Sequence, residues 1–99
     1  MYIMNPRIFI EPANWFQRLF KKAYIIKFVA ATERYGETSR WAVTETFLEQ
    51  SFKEEEFNEQ AIENFVQNVV SKISGNISID IFDETKTYSK DTVTCSYKD

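Results

Sequence analysis

Asp80, Asp83 and Glu84 fall close together in the segment NISIDIFDET, and Asp91 follows in the next polar stretch. Carboxylates that converge can hold Mg²⁺ or pass protons between them. Asp83 and Glu84, however, stand where a strand gives way to the polar run DETKT. Aspartate is favoured at turns because its carboxylate accepts hydrogen bonds from the backbone just ahead of it. Turn chemistry is the expectation here, with no metal and no other cofactor.

The rest of the catalytic inventory is thin. The chain has no histidine and one cysteine, Cys95. Without imidazole the commonest general base near neutral pH is missing. Neither a Ser-His-Asp nor a Cys-His constellation can be assembled, nor a zinc finger. Two scattered glycines leave no phosphate-cradling loop. The lone cysteine excludes an intrachain disulfide. An enzyme is the least expected class, and function is expected to reside in surface binding.

Charge supplies the candidate contacts. The net charge is −3, but residues 1–40 carry seven Lys/Arg against three Asp/Glu, and residues 41–99 carry five against twelve. On the basic side stand Arg18, Lys21 and Lys22 in QRLFKK, then Arg34 and Arg40 beside Tyr35 and Trp41. Cations interleaved with aromatics suit single-stranded nucleic acid, although a sequence pI near 5.0 argues against a dedicated nucleic-acid binder. On the acidic side Glu55, Glu59 and Glu63 step by four residues, a row of carboxylates along one helical face. Each group also has a plain structural role. Cations suit the last turn of a helix and anions the first, each contributing about 0.3–1 kcal/mol when exposed.

The elements that must position these residues follow from periodicity. Ninety-nine residues make one domain, 1–99, with a high aromatic share of 16%. RIFIEP, flanked by Pro6 and Pro12, reads as an edge strand or a free arm over 1–12, because proline lacks the ladder donor. Trp15, Phe16, Leu19 and Phe20 give one apolar face to a short helix over 13–22, able to cover a sheet. β-branched and aromatic residues predict a hairpin over 23–34 and 40–49, turning at Gly36, with Trp41 in phase with the core residues Val43 and Phe47. Ser51 and Glu54 match a capping box for a long amphipathic helix over 52–74 that ends at Gly75. Ile77, Ile79 and Ile81, then Val93, Cys95 and Tyr97, predict a second antiparallel hairpin. The expected fold is α+β: an antiparallel sheet of four to five strands, one long helix on one face, and the short helix offering a second cover.

The segment KKAYIIKFV, Lys21 to Val29, resembles the opening strand of a small phage-encoded anti-CRISPR family that blocks the type I-F surveillance complex. The resemblance spans these nine residues; the family's segment begins near the chain start, whereas twenty residues precede it here. It implies a small non-enzymatic protein from a phage or mobile element that acts by binding. In that family basic surface residues engage the complex near its nucleic-acid site, but no individual position carries over to this chain.

The expected function is therefore inhibition or adaptation of a larger protein assembly, such as a nucleoprotein complex, through Arg18, Lys21, Lys22, Arg34 and Arg40 or through Glu55, Glu59 and Glu63. One alternative is a nucleic-acid-binding module built on the first hairpin and short helix. Another is a virion or homo-oligomeric subunit. The opening MYIMNPRIFIEPANW lacks the pattern of a signal peptide. The longest nearly apolar run, AYIIKFVAA, is broken by Lys27 and is too short to span a bilayer. A cytoplasmic location without a membrane partner is expected, in the host cell if the protein is viral.

Overall fold

Alternating apolar residues over the first half of the chain form strands, as their period requires. The structure, a computed structural model, describes residues 3–73 and 75–95. Its strands are β1 (Met4–Pro12), β2 (Tyr24–Tyr35), β3 (Arg40–Phe52), β4 (Ile77–Asp83) and β5 (Thr92–Cys95). A one-turn helix, α1 (Trp15–Arg18), joins β1 to β2, and α2 (Glu59–Lys72) joins β3 to β4. The strands form one five-stranded sheet in the order β3-β2-β1-β4-β5. The hairpins β2–β3 and β4–β5 are antiparallel as expected. Ser96 and Tyr97, expected to extend the last strand, lie outside the described residues.

The sheet as a whole is mixed rather than antiparallel. β1 pairs antiparallel with β2 on one side and parallel with β4 on the other, in register Arg7 to Asp80 through Ile10 to Asp83. Parallel neighbours need a crossover, and α2 supplies it by carrying the chain back over the sheet after β3. β1 is thus the central strand, not an arm or an edge. Its prolines are tolerated because neither interrupts the ladder: Pro6 sits at a register slip between Met4 and Arg7, and Pro12 closes the strand. Asn5 takes up the irregularity with φ 50.

The α2 helix is shorter than the periodicity suggested. β3 continues to Phe52, which pairs with Tyr24 and is buried, so Ser51 is held in the ladder and cannot cap a helix. A 3-10 turn over Glu54–Glu56 follows. Phe57 then packs on Tyr24, ring centroids 4.1 Å apart. Only after it does Asn58 start α2, its side-chain oxygen accepting from Ala61 N at 2.8 Å. The helix ends at Lys72, and Gly75, at φ 115, supplies the positive-φ exit. Ile62, Phe65, Val66 and Val69 make the buried face of α2. They pack on Ile8, Ile10, Ile26, Phe28, Ile79 and Ile81 from the three strands β1, β2 and β4.

Nothing comparable covers the opposite face among the described residues, and α1 does not supply the second cover. The sheet shields that face with its own side chains. Phe9 stacks on Phe82 at 5.4 Å, the Arg7 guanidinium lies 5.9 Å from the Phe9 ring centroid, and Lys27 pairs with Glu11 at 2.9 Å. In the ladder Arg7 is opposite Val29 and Glu11 opposite Ile25, and both Ile25 and Val29 stay buried. The molecule is accordingly thin, 48 × 34 × 18 Å.

Ile62 is fully buried, so Ile62→Ala should cost about 2–5 kcal/mol, a large part of a small domain's stability. Asn58→Ala, which removes the cap, should cost about 1 kcal/mol. Urea denaturation followed by far-UV circular dichroism measures both.

Candidate interaction surface

The segment between β1 and β2 is pinned at its base and free at its head. Ala13 N donates to Ala23 O at 2.9 Å, and Ala23 N donates to Phe52 O at 2.8 Å, tying both ends of the loop to the sheet. Asn14 opens α1 with a reciprocal cap: its side-chain oxygen accepts from Gln17 N at 2.8 Å while Asn14 N donates to Gln17 Oε1 at 3.0 Å. Lys21 ends it by adopting φ 63, with its N–H donating to Arg18 O at 2.9 Å. A lysine in this left-handed region is strained, and the reversal brings the chain straight back to β2. The one-turn helix is therefore held at the end of the sheet and cannot fold under it.

The consequence is a cluster of large apolar side chains in water. Trp15 is 74% exposed, Phe16 57%, Leu19 68% and Phe20 66%. The three rings touch one another: Trp15 meets Phe16 edge to face at 5.9 Å, and Phe16 meets Phe20 at 5.5 Å. Sequence periodicity identified these four residues as one face of a helix but assigned that face to the interior. What the periodicity could not carry is the location of the helix at the end of the sheet. A contiguous exposed apolar patch of this kind marks a binding surface more often than single exposed residues do.

Of the basic candidates, only three belong to this patch. Arg18, Lys21 and Lys22 line a shallow depression beside α1 together with Pro12, Ala23, Tyr24, Glu54 and Glu55. Arg18 is anchored there by its Nε, which donates to Ala13 O at 3.2 Å. Arg34 and Arg40 lie at the far end of the β2–β3 hairpin, roughly 35 Å away along the strand. Arg34 is paired with Glu45 at 2.6 Å. Trp41, expected in the core, is instead 48% exposed, because the hairpin extends past the end of α2.

The acidic stripe does not exist as one face either. Glu55 belongs to the 3-10 turn ahead of Asn58, whereas Glu59 and Glu63 are on α2. Glu59 accepts from Ser89 Oγ at 3.2 Å, and Glu63 accepts from the Tyr88 hydroxyl and lies 3.8 Å from Lys90 Nζ. Both therefore fasten the β4–β5 loop to the helix. That loop is also organised from within by Asp83, whose carboxylate accepts from the backbone N–H groups of Thr85, Thr87 and Tyr88 at 2.8–2.9 Å and from the Thr85 hydroxyl. Burial disfavours the charged form of Asp83, but those hydrogen bonds outweigh it and hold the carboxyl below its usual range. Asp83 is thus a turn organiser. Asp80 lies in β4 opposite Arg7 and Thr92, and among the described residues no group of three or more metal-binding side chains forms.

Comparison with known protein families, curated proteins and solved structures finds no match.

The loop fastening generates a pH signature. The Tyr88 hydrogen bond, opposed by partial burial and assisted by Gln67 and Lys90, lowers the Glu63 pKa. A carboxyl depressed in the folded state stabilises it above the unfolded pKa, and that contribution fades as pH falls through the folded value. Tyr88→Phe should therefore cost about 1–2 kcal/mol at pH 7, and the gap to the wild type should narrow below pH 4. Urea titrations at pH 7 and pH 3 test this; an equal gap at both would refute the pairing.

Proposed function

We propose that this chain is a non-enzymatic interaction protein that docks on a larger protein assembly through the α1 knuckle and thereby inhibits or adapts it. One observation carries the reading: Trp15, Phe16, Leu19 and Phe20 are all more than half exposed and lie beside Arg18, Lys21 and Lys22. Aromatic residues and arginine, ringed by polar groups that exclude water, are the side chains from which interface hot spots are made. The capped turn and the pinned base hold the rings in mutual contact, so little ordering remains to be done on binding.

The rim bears on the class of partner. Glu54 and Glu55 line the same depression as the three cations. A phosphate backbone or an anionic lipid surface would be repelled by those carboxylates, whereas a protein cleft offering both apolar walls and mixed charge accommodates them. On the open sheet face the Phe9 ring is already engaged by Phe82 and Arg7, which disfavours that face as a platform for stacking bases. The non-enzymatic part of the reading rests on composition, above all on the missing imidazole. Among the described residues no helix is long and apolar enough to cross a membrane.

Affinity capture from a host lysate with wild-type protein, Trp15→Ala/Phe20→Ala and Arg18→Glu/Lys21→Glu provides the test. The apolar pair should weaken capture of the specific partner by at least tenfold, as truncated hot spots do, and the charge reversal should slow its association. Because the substituted side chains are exposed, the melting temperature should hardly move. If every specifically recovered partner stays bound to both variants, the knuckle is not the docking surface.

A further inference from the structure

We propose that two copies of this chain pair edge to edge through β3, about a two-fold axis at Thr44, into one ten-stranded sheet. This rests on a different part of the molecule from the knuckle and stands or falls separately.

β3 is an edge strand of thirteen residues, Arg40–Phe52, whereas the strand at the other edge, β5, has four described residues. A long open edge presents unpaired backbone donors and acceptors, a template for another strand. Which groups face outward follows from the register. Gly36 N donates to Ser39 O at 2.8 Å, immediately beyond the Tyr35–Arg40 pair. In an antiparallel ladder that bond flanks a wide pair, so Arg40 turns its own N–H and C=O away from β2. The alternation then turns Ala42, Thr44 and Thr46 outward as well, up to the slip that leaves Phe47 as the extra residue between Thr46 and Leu48. Of the usual protections of an edge, this stretch holds no proline and no lysine, its one bulge lies at the far end at Phe47, and Glu45 is already paired with Arg34.

Side chains choose among the available registers. An axis at Glu45 would set that carboxylate against its own copy, an unfavourable cross-strand pair. An axis at Val43 would leave Trp41 opposite Glu45. An axis at Thr44 sets Thr44 opposite Thr44, Ala42 opposite Thr46, Val43 opposite Glu45 and Trp41 opposite Phe47, with about six new backbone hydrogen bonds, two for each narrow pair.

That register also brings together two apolar features that one copy leaves open. Trp41 is 48% exposed. Phe47 is on the wall of an apolar groove of about 300 Å³ between the hairpin and the C-terminal end of α2, with Ile3, Phe28, Leu48, Val69 and Ile73. Each copy's Trp41 meets the other's Phe47 at the mouth of this groove, and both α2 helices lie on the same side of the joined sheet. The α1 knuckles then point outward from the two far ends.

Single-cysteine variants test both pairing and register, because Cys95, the one native thiol, is buried. Thr44→Cys should oxidise to a covalent dimer. Ala42→Cys and Thr46→Cys, each alone, place the thiols about 14 Å apart across the axis and should not cross-link. The two mixed together should. Thr44→Pro removes an outward donor that β2 does not use, and should halve the mass seen by analytical ultracentrifugation with circular dichroism unchanged. Trp41→Ala should weaken the dimer at least tenfold. A wild type that sediments as a single chain at millimolar concentration overturns the proposal. So does a dimer that survives Thr44→Pro, or one in which Ala42→Cys alone cross-links more readily than Thr44→Cys.

Discussion

Ile8 and Ile10 sit where the two hairpins meet, and both are wholly shielded from water. β1, which carries them, hydrogen-bonds to the β2–β3 hairpin on one side and to the β4–β5 hairpin on the other. Neither hairpin contacts the other's strands in the ladder, so the sheet exists only through this junction. The same two isoleucines form the floor on which Ile62, Phe65, Val66 and Val69 of α2 rest. A two-stranded ribbon is marginal by itself. Joined through β1 and capped by α2, the two ribbons share one core, and every peripheral feature is suspended from it.

Around that junction, several charged groups are occupied in shaping the chain. Glu11 and Lys27 close over the open face, Arg34 and Glu45 brace the hairpin, and Glu59, Glu63 and Asp83 hold the loop after β4. The α1 knuckle differs from all of them. Its rings are turned outward although a flat sheet face lies nearby, because Ala13 and Ala23 fix the loop ends and Lys21 folds it short. Exposed rings on a pinned support are what a docking element needs and what a monomeric core would avoid.

Strand identity was legible in the sequence, and so was the composition of the helix face. β2 and β3 carry the β-branched and aromatic residues that suit a pleated surface, and Ile62 to Val69 repeat at helical spacing. Position in the sheet was not legible. Two prolines argued that β1 is peripheral, yet a slip near Asn5 and a strand end at Pro12 absorb them. Ser51 and Glu54 matched a capping box, but the ladder with β2 extends far enough to claim Ser51, and tertiary pairing overrode the local signal. For the candidate surface, residue types and charges were visible. Their separation was not, since Arg18 sits in α1 before β2 starts and Arg34 near the far end of β2, and Glu55 sits in a 3-10 turn ahead of the helix that carries Glu59.

The partnership between β1 and β4 has a temporal side. Arg7 faces Asp80 in the ladder, so β1 must wait for about seventy further residues before its second neighbour exists. Such long-range closure slows folding. On the ribosome, the β1–β2–β3 meander can assemble first, but its Ile8 and Ile10 edge remains uncovered until the β4–β5 hairpin clears the exit tunnel. An uncovered apolar strand edge of that kind is where a nascent chain is exposed to aggregation and open to chaperones.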